Sequence, residues 1–237
     1  MELRDAEQKY VSWALLNLSR PAVCWQAATD ATDWWTTLAA FAGESLYLHN
    51  YRYPDVPEPT DLLAVSSTEG TLSWVLPGWW LVGAQPDEGT LVVAQRLPET
   101  IRYQLCDART GVLRGTLDDA KIPPQSTPDY LAPVRYGPRD IYFDVLSSFL
   151  KRTVGVPAPI AVDYLEANPY VVFSYYLYEQ EKVAQYLLVV NRVKEILYHE
   201  RLGENRQGVG RDTILYKSGY LACLRNNNEF ISIKLPS

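Results

Sequence analysis

Asp33-Trp34-Trp35 and Gly78-Trp79-Trp80 stand 45 residues apart, and each opens the same pattern. The first runs on to Gly43-Glu44-Ser45-Leu46-Tyr47-Leu48, the second to Glu88-Gly89-Thr90-Leu91-Val92-Val93, with no gap between the copies. An apolar run, a turn and a second apolar run read as strand, turn, strand. A hairpin follows each copy. Leu63-Ala64-Val65-Ser66-Ser67-Thr68-Glu69-Gly70-Thr71-Leu72-Ser73-Trp74 takes an apolar strand into a polar turn closed by Gly, and an alternating strand leaves it. Gln104–Leu113 repeats this 41 residues later through Asp107-Ala108-Arg109-Thr110-Gly111. Gly at the end of such a turn suits positive φ, which a Cβ penalises.

Working outward, Leu187–Tyr198 reads as a third hairpin and Tyr220–Ile233, around Asn226-Asn227-Asn228, as a fourth. Asn17–Trp25 matches the second half of a unit, from Ser66 to Trp74. Units of 40–45 residues built only of strands predict an all-β fold. The reading is a small β-propeller of four or five blades, one domain over residues 1–237, in which the N- and C-terminal strands share the last blade and so remove open edges. A β-sandwich or an open stack of hairpins is the alternative. One stretch breaks the pattern. Ile141, Val145, Leu146, Phe149 and Leu150 recur at helical spacing, with polar residues between them. This predicts one amphipathic helix over 140–152, N-capped by Asp140 and ended by Lys151-Arg152. Strands resume at Pro159–Leu165 and Tyr170–Tyr178, joined by an Asn168-Pro169 turn. The Pro-rich loop 118–130, with Pro123, Pro124 and Pro128, reads as a linker inside the domain.

Composition agrees. The chain of 237 residues is 47% hydrophobic and holds 17 Tyr and 7 Trp, which favours strands. Its formal net charge is −6, and its 22 Lys and Arg never run beyond two in succession, which argues against a nucleic-acid partner. No apolar stretch approaches the roughly 18 residues of a membrane helix, so no membrane is expected. Met1–Tyr10 carries Glu2, Asp5 and Glu7 and does not read as a secretory signal. Cys24, Cys106 and Cys223 are odd in number, far apart and set in apolar stretches. They read as buried free thiols of a cytoplasmic protein.

The hairpins carry a resemblance. Asp107 and Thr110-Gly111, with the closing Trp74 of the earlier copy, resemble the quinoprotein-type propeller repeat, in which a strand ends in Asp, a Thr-Gly turn follows and a Trp closes the next strand. The resemblance implies a propeller-like fold and no cofactor, since many propellers carry the repeat without a quinone. The chain is also similar to a family of bacterial proteins of unknown function. That similarity rests on Tyr142-Phe143, Phe149-Leu150, Val162–Glu166, Ser174-Tyr175-Tyr176, Tyr186–Val189, Asp212-Thr213 and Asn226–Leu235, and it implies no catalytic residue.

No catalytic signature stands out. Two histidines, His49 and His199, sit in strand contexts without further ligands at metal spacing, so no metal is expected. Gln207-Gly208-Val209-Gly210-Arg211 could offer backbone amides to an anion, but reads more simply as a turn. Asp33, Asp163 and Glu166 are the candidate catalytic carboxylates, because glycosidases on propellers use paired acids at inner strands. The odd spacing of Asp163 and Glu166 puts them on opposite faces of a strand. Trp34, Trp79 and Tyr175 are the candidate binding aromatics. In each Trp pair, set in a strand, one ring packs and the other faces out. The function expected is a noncatalytic propeller module that binds a protein or a small molecule. The alternatives are a glycoside hydrolase-like enzyme and an assembly scaffold using the helix at 140–152.

Overall fold

The computed structural model describes the chain except residues 54, 57, 119–129, 158, 211, 212, 227, 228 and 237. Among the described residues the fold is all-β with one α-helix, and every sheet joins strands that follow one another in sequence. The chain divides into two compact units, Met1–Asn17 with Val23–Thr127, and Leu18–Ala22 with Pro128–Ser237. The expected linker at 118–130 falls almost wholly outside the described residues.

The first unit has three sheets: β1 (Glu2–Asp5), β2 (Tyr10–Asn17) and β3 (Ala22–Ala27); β4 (Thr37–Ala42), β5 (Ser45–Asn50), β6 (Asp61–Ser66) and β7 (Leu72–Pro77); and β8 (Trp80–Gln85), β9 (Thr90–Arg96), β10 (Ile101–Asp107) and β11 (Leu113–Leu117). From β5 and β6, Leu46, Leu48, Leu63 and Val65 point into a cluster with Val11 and Trp13. Their neighbours Tyr47, Leu62 and Ala64 point the other way, against Trp79, Leu91, Val93 and Cys106. Both faces of the middle sheet are covered. That is why Leu-Tyr-Leu and Leu-Leu-Ala-Val are unbroken apolar runs. Each fully buried aliphatic side chain contributes about 1.5–3 kcal/mol.

The hairpin tryptophans tie each sheet to the next. Trp25 of β3 donates its indole N–H to the Ser67 carbonyl at 2.6 Å, and Trp74 of β7 donates to the Ala108 carbonyl at 3.1 Å. Each ring lies on the glycine that closes the receiving turn. A Cβ on Gly70 (φ +70°) would come within 2.9 Å of Trp25, and one on Gly111 (φ +72°) within 2.8 Å of Trp74. Both the backbone angle and the indole therefore demand glycine. At the 41-residue offset the hairpin that begins at Gln104 has Gly115 where Trp74 stands, and the series of locks stops.

The two Trp pairs are not structurally equivalent. Ala42 pairs with Ser45 across a two-residue turn, whereas Gln85 pairs with Thr90 across four residues that include a 3₁₀ turn, Pro86–Glu88. The second strands therefore align at an offset of 45, but the first strands align two residues short of that. Trp34 and Trp35 lie in the turn before β4 rather than in a strand, and Thr36, wholly buried, takes the place that Trp79 takes in the other sheet.

The second unit holds β12 (Val134–Tyr136), β13 (Ala161–Ala167), β14 (Tyr170–Glu179), β15 (Lys182–Asn191) and β16 (Ile196–Arg206) in one sheet, and β17 (Ile214–Lys217), β18 (Tyr220–Arg225) and β19 (Glu229–Lys234) in another. Leu131 bridges to Tyr216 at the edge of the latter. Leu165, Val172, Leu187 and Val189 face Ile214, Leu221 and Cys223. On the reverse face Val162, Phe173, Tyr175 and Leu188 meet Phe143 and Leu150 of the helix α1 (Phe143–Val154).

The helix starts later than its period predicts, and Asp140 is not its cap. The Asp140 carboxylate turns back to accept the Gly137 amide at 2.6 Å, and Tyr142 occupies the cap position without a side-chain bond. The C-terminal end is as read: Lys151 and Arg152 fill the last turn, and Gly155 closes it at φ 72°. Cys106 and Cys223 are buried free thiols, but Cys24 is exposed because Trp25 takes the inward phase of β3. Asn226 adopts φ 51° as a turn residue, while Asn227 and Asn228 lie outside the described residues.

Candidate functional site

The polar residues buried in the second unit form one network on the face of the five-stranded sheet that meets β17–β19. Strand alternation puts Asp163, Ser174, Tyr176 and Gln185 on the same face as Leu165, Val172 and Leu187. Asp163 pairs with Ser174 across β13–β14, and Tyr176 with Gln185 across β14–β15. Ser174, Tyr176 and Gln185 are fully buried and Asp163 is 2% exposed. Arg135 of β12 grips the Asp163 carboxylate with both Nε (2.6 Å) and Nη2 (2.8 Å), and its guanidinium sits over the Tyr176 ring. The Tyr176 hydroxyl reaches Asp163 Oδ2 at 3.3 Å, the Gly210 carbonyl at 3.4 Å and Thr213 Oγ1 at 3.3 Å. Arg135 Nη2 also donates to the Gly210 carbonyl. Gln185 Nε2 donates to Ser174 Oγ and Thr213 Oγ1, both at 2.8 Å. Burial pushes the Tyr176 phenol above its ordinary pKa, so it stays a neutral donor.

Arg206, the last residue of β16, belongs to the same place. It folds back over Gly203, which pairs with Gln185 where the β15–β16 register shifts. A Cβ on Gly203 would lie 2.8 Å from Arg206 Nε, and one on Gly210 3.0 Å from Nη1 and 2.8 Å from Thr213 Cγ2. The two glycines leave the space that the guanidinium and Thr213 fill. Burial lowers the pKa of Arg206 from the ordinary guanidinium value.

The sequence-derived candidates scatter. Asp33, in the first unit, is a turn residue: its Oδ1 accepts the Trp35 amide at 2.8 Å and the Thr36 amide at 3.2 Å. Asp163 is held by Arg135, and Glu166, exposed on the opposite face of β13, accepts from the Tyr164 hydroxyl. No two of these carboxylates meet within either unit's described residues. Trp34 lies under two cations, Arg4 at 5.1 Å and Lys9 at 5.0 Å, and its carbonyl accepts from Arg4. Trp79, 5% exposed, packs in the core. Tyr175 is fully buried, stacked on Tyr186 at 5.4 Å, with its hydroxyl 2.7 Å from His199 Nε2. Both Trp79 and Tyr175 thus serve packing. Sequence reasoning missed Arg135, Gln185 and Arg206. The available signal was a polar residue in the inward phase of an apolar strand, as in Ala-Val-Asp-Tyr-Leu and Val-Ala-Gln-Tyr-Leu. The Gly208–Gly210 stretch does fall beside a cation, with Arg211 outside the described residues.

A second concavity belongs to the first unit. A groove of about 310 Å³ lies at the turn end of the β4–β7 and β8–β11 sheets. Ser45, Ser66, Thr68, Ser73, Thr90 and Tyr47 line it with hydroxyls, beside Ala42, Ala84, Leu91 and Ala108, and Glu44 and Arg109 stand in its wall. Among the described residues no group of three or more His, Cys, Asp or Glu is placed to hold a metal ion, and no helix is long and apolar enough to cross a membrane.

A domain of unknown function, DUF4905, matches residues 1–74. The match runs from β1 to Trp74 and takes in the first Trp–Gly lock. It does not cover the segments from Tyr142 onward on which the resemblance to a family of unknown function was read. No curated protein matches the chain.

Proposed function

We propose that the protein is a β-propeller module, one domain over residues 1–237, that binds a small, hydroxyl-rich neutral ligand in the groove of the first unit without transforming it. Among the described residues, five up-and-down sheets in chain order and the repeated Trp–Gly lock support the propeller. The likeness of Asp107–Gly111 to the quinoprotein repeat agrees with it. Asp107 accepts the amides of Arg109 at 3.0 Å and Thr110 at 2.9 Å, which shapes the turn that receives Trp74. The Leu18–Ala22 turn groups with the C-terminal half of the chain, where Ser232 Oγ donates to the Leu18 carbonyl at 2.7 Å, and this supports ends that meet. Buried thiols at Cys106 and Cys223 suit a reducing cytoplasm.

The observation that carries the binding reading is the chemistry of the groove wall. It presents many hydroxyls and, among the described residues, a single carboxylate, Glu44. Glycoside hydrolysis needs two carboxyl groups roughly 5–10 Å apart. A volume of about 310 Å³ suits a ligand of sugar size. Calorimetric titration with neutral mono- and disaccharides tests this against Ser73→Tyr, which fills the groove from an exposed strand position where Tyr is favoured. Saturable binding that the variant loses at unchanged melting temperature is expected. Binding indifferent to Ser73→Tyr, or a reducing end released on incubation, overturns the reading.

A further inference from the structure

A hollow of about 400 Å³ opens at the turn end of β13–β14 and β15–β16, within the second unit. Pro169, Tyr170, Val193, Leu197 and Pro236 give it an almost wholly apolar wall. Two of these side chains are unusually open to water. Val193, in the turn at 192–195, is 81% exposed, and Leu197 is 39% exposed. Val190 pairs with Ile196 and Val189 with Tyr198, so Leu197 is the extra residue of a bulge. A bulge re-aims a side chain out of the regular alternation of a strand. Aliphatic surface left in water on a concave wall marks a place where something binds.

Charge supplies the second observation. The Tyr170 hydroxyl donates to the Pro236 carbonyl. The Asn191 side chain accepts the amides of Val193 at 3.1 Å and Glu195 at 2.9 Å, and donates to the Glu195 carboxylate at 3.0 Å. Among the described residues these bonds occupy the polar side chains of the wall, Arg192 excepted. The Arg192 guanidinium stands in the wall and makes no ion pair or hydrogen bond with a described residue. The ammonium of Lys194, in the same turn, is unpaired in the same sense. The carboxylate of that turn, Glu195, is engaged by Asn191. An apolar wall beside an unanswered guanidinium complements a ligand with an aliphatic body and an anionic head.

We propose that this hollow receives a medium-length aliphatic carboxylate, with its chain on Tyr170, Val193, Leu197 and the two proline rings and its head on Arg192. A carboxylate offers two oxygens to the fork of a guanidinium. The volume suits one small amphiphile. The bonds of Tyr170 and Asn191 fix the walls beforehand, which spares the ordering cost of a flexible groove. The site lies in the second unit and does not depend on the groove reading.

The test titrates the full chain by isothermal calorimetry with butyrate, hexanoate, octanoate and decanoate, each below its micelle concentration, and with 1-octanol. Affinity is expected to rise about two- to fourfold per added methylene through octanoate. Octanoate is expected to bind about two- to fivefold more tightly than 1-octanol. Arg192→Gln should erase that difference and leave 1-octanol binding unchanged. Val193→Asp sets a carboxylate against the ligand's own and should weaken octanoate about tenfold or more. Its melting temperature should not move, because position 193 is exposed. Absence of decanoate binding, affinity independent of chain length, or equal affinity for octanoate and 1-octanol overturns the proposal. Octanoate binding that neither variant changes also overturns it, since the ligand then sits elsewhere. A tetrapeptide of three glycines and a C-terminal leucine that binds more tightly than decanoate overturns it in favour of a protein C-terminus.

Discussion

His49 offers a quantitative test of how the first unit is packed. Its Nε2 accepts the Leu81 amide hydrogen at 2.9 Å, so β5 is bonded to β8 of the next sheet through a neutral imidazole protonated on Nδ1. Burial lowers its pKa from 6.5 to about 4. In the unfolded chain the value returns to about 6.5. As pH falls below that value the unfolded chain takes up the proton first. The stability held by neutral His49 is therefore complete above about pH 6.5 and lost between there and pH 4. At 1.36 kcal/mol per unit the full loss is about 3 kcal/mol, and roughly 2 kcal/mol is gone by pH 5. All seven tryptophans lie at or before Trp80, so indole fluorescence reports on the unit that contains His49. Urea unfolding of the wild type and His49→Gln would be followed by that signal at pH 7.5, 6.5 and 5.0. Gln can still accept the amide and does not titrate. Other ionisable groups are common to both proteins and cancel in the difference. The variant should gain about 2 kcal/mol on the wild type between pH 7.5 and 5. Parallel pH profiles would refute the claim that His49 is buried and neutral.

Further changes probe other parts. Gly111→Ala should cost about 2–4 kcal/mol, combining left-handed strain with a collision against Trp74, whereas Gly43→Ala, at φ +58° with open space around it, should cost about 1–2 kcal/mol; chemical denaturation of both measures the gap. Asp163→Asn removes the buried carboxylate that Arg135 grips with two N–H groups and should cost about 3–5 kcal/mol, while Glu166→Gln on the exposed face should stay within about 0.5 kcal/mol. Circular dichroism melts compare that pair. Leu150→Ala, on the buried side of α1, should cost about 2–5 kcal/mol, read from the same melts.

What was legible in the sequence is what depends on near neighbours and on period. Turns closed by Gly70 and Gly111 follow from local backbone needs, and the short unbroken apolar runs of β5, β6 and β15 mark strands covered on both faces. The helix was visible because five apolar residues recur at 3.6-residue spacing, although its start was not, since Asp140 had an alternative use for its carboxylate one turn earlier. The apparent equivalence of the two Trp pairs misled because the sequence copies align without a gap, while the two extra residues of the Gln85–Thr90 turn shift one strand against the other.

The tertiary structure decided who meets whom. Trp25 and Trp74 were read as ending their own hairpins, yet their partners are a carbonyl and a glycine in the next sheet, 42 and 34 residues on for the hydrogen bond. Arg135 reaches Asp163 across 28 residues and Gly210 across 75. Arg206 looks in sequence like any charged strand end, and only its fold-back over Gly203 seals its Nε and Nη2 from solvent. Local sterics and hydrophobic period act within a strand or a turn and leave their mark in adjacent residues. Ion pairing depends on distances that exist only once sheets have stacked, so the chain's own order marks a buried polar position without naming its partner.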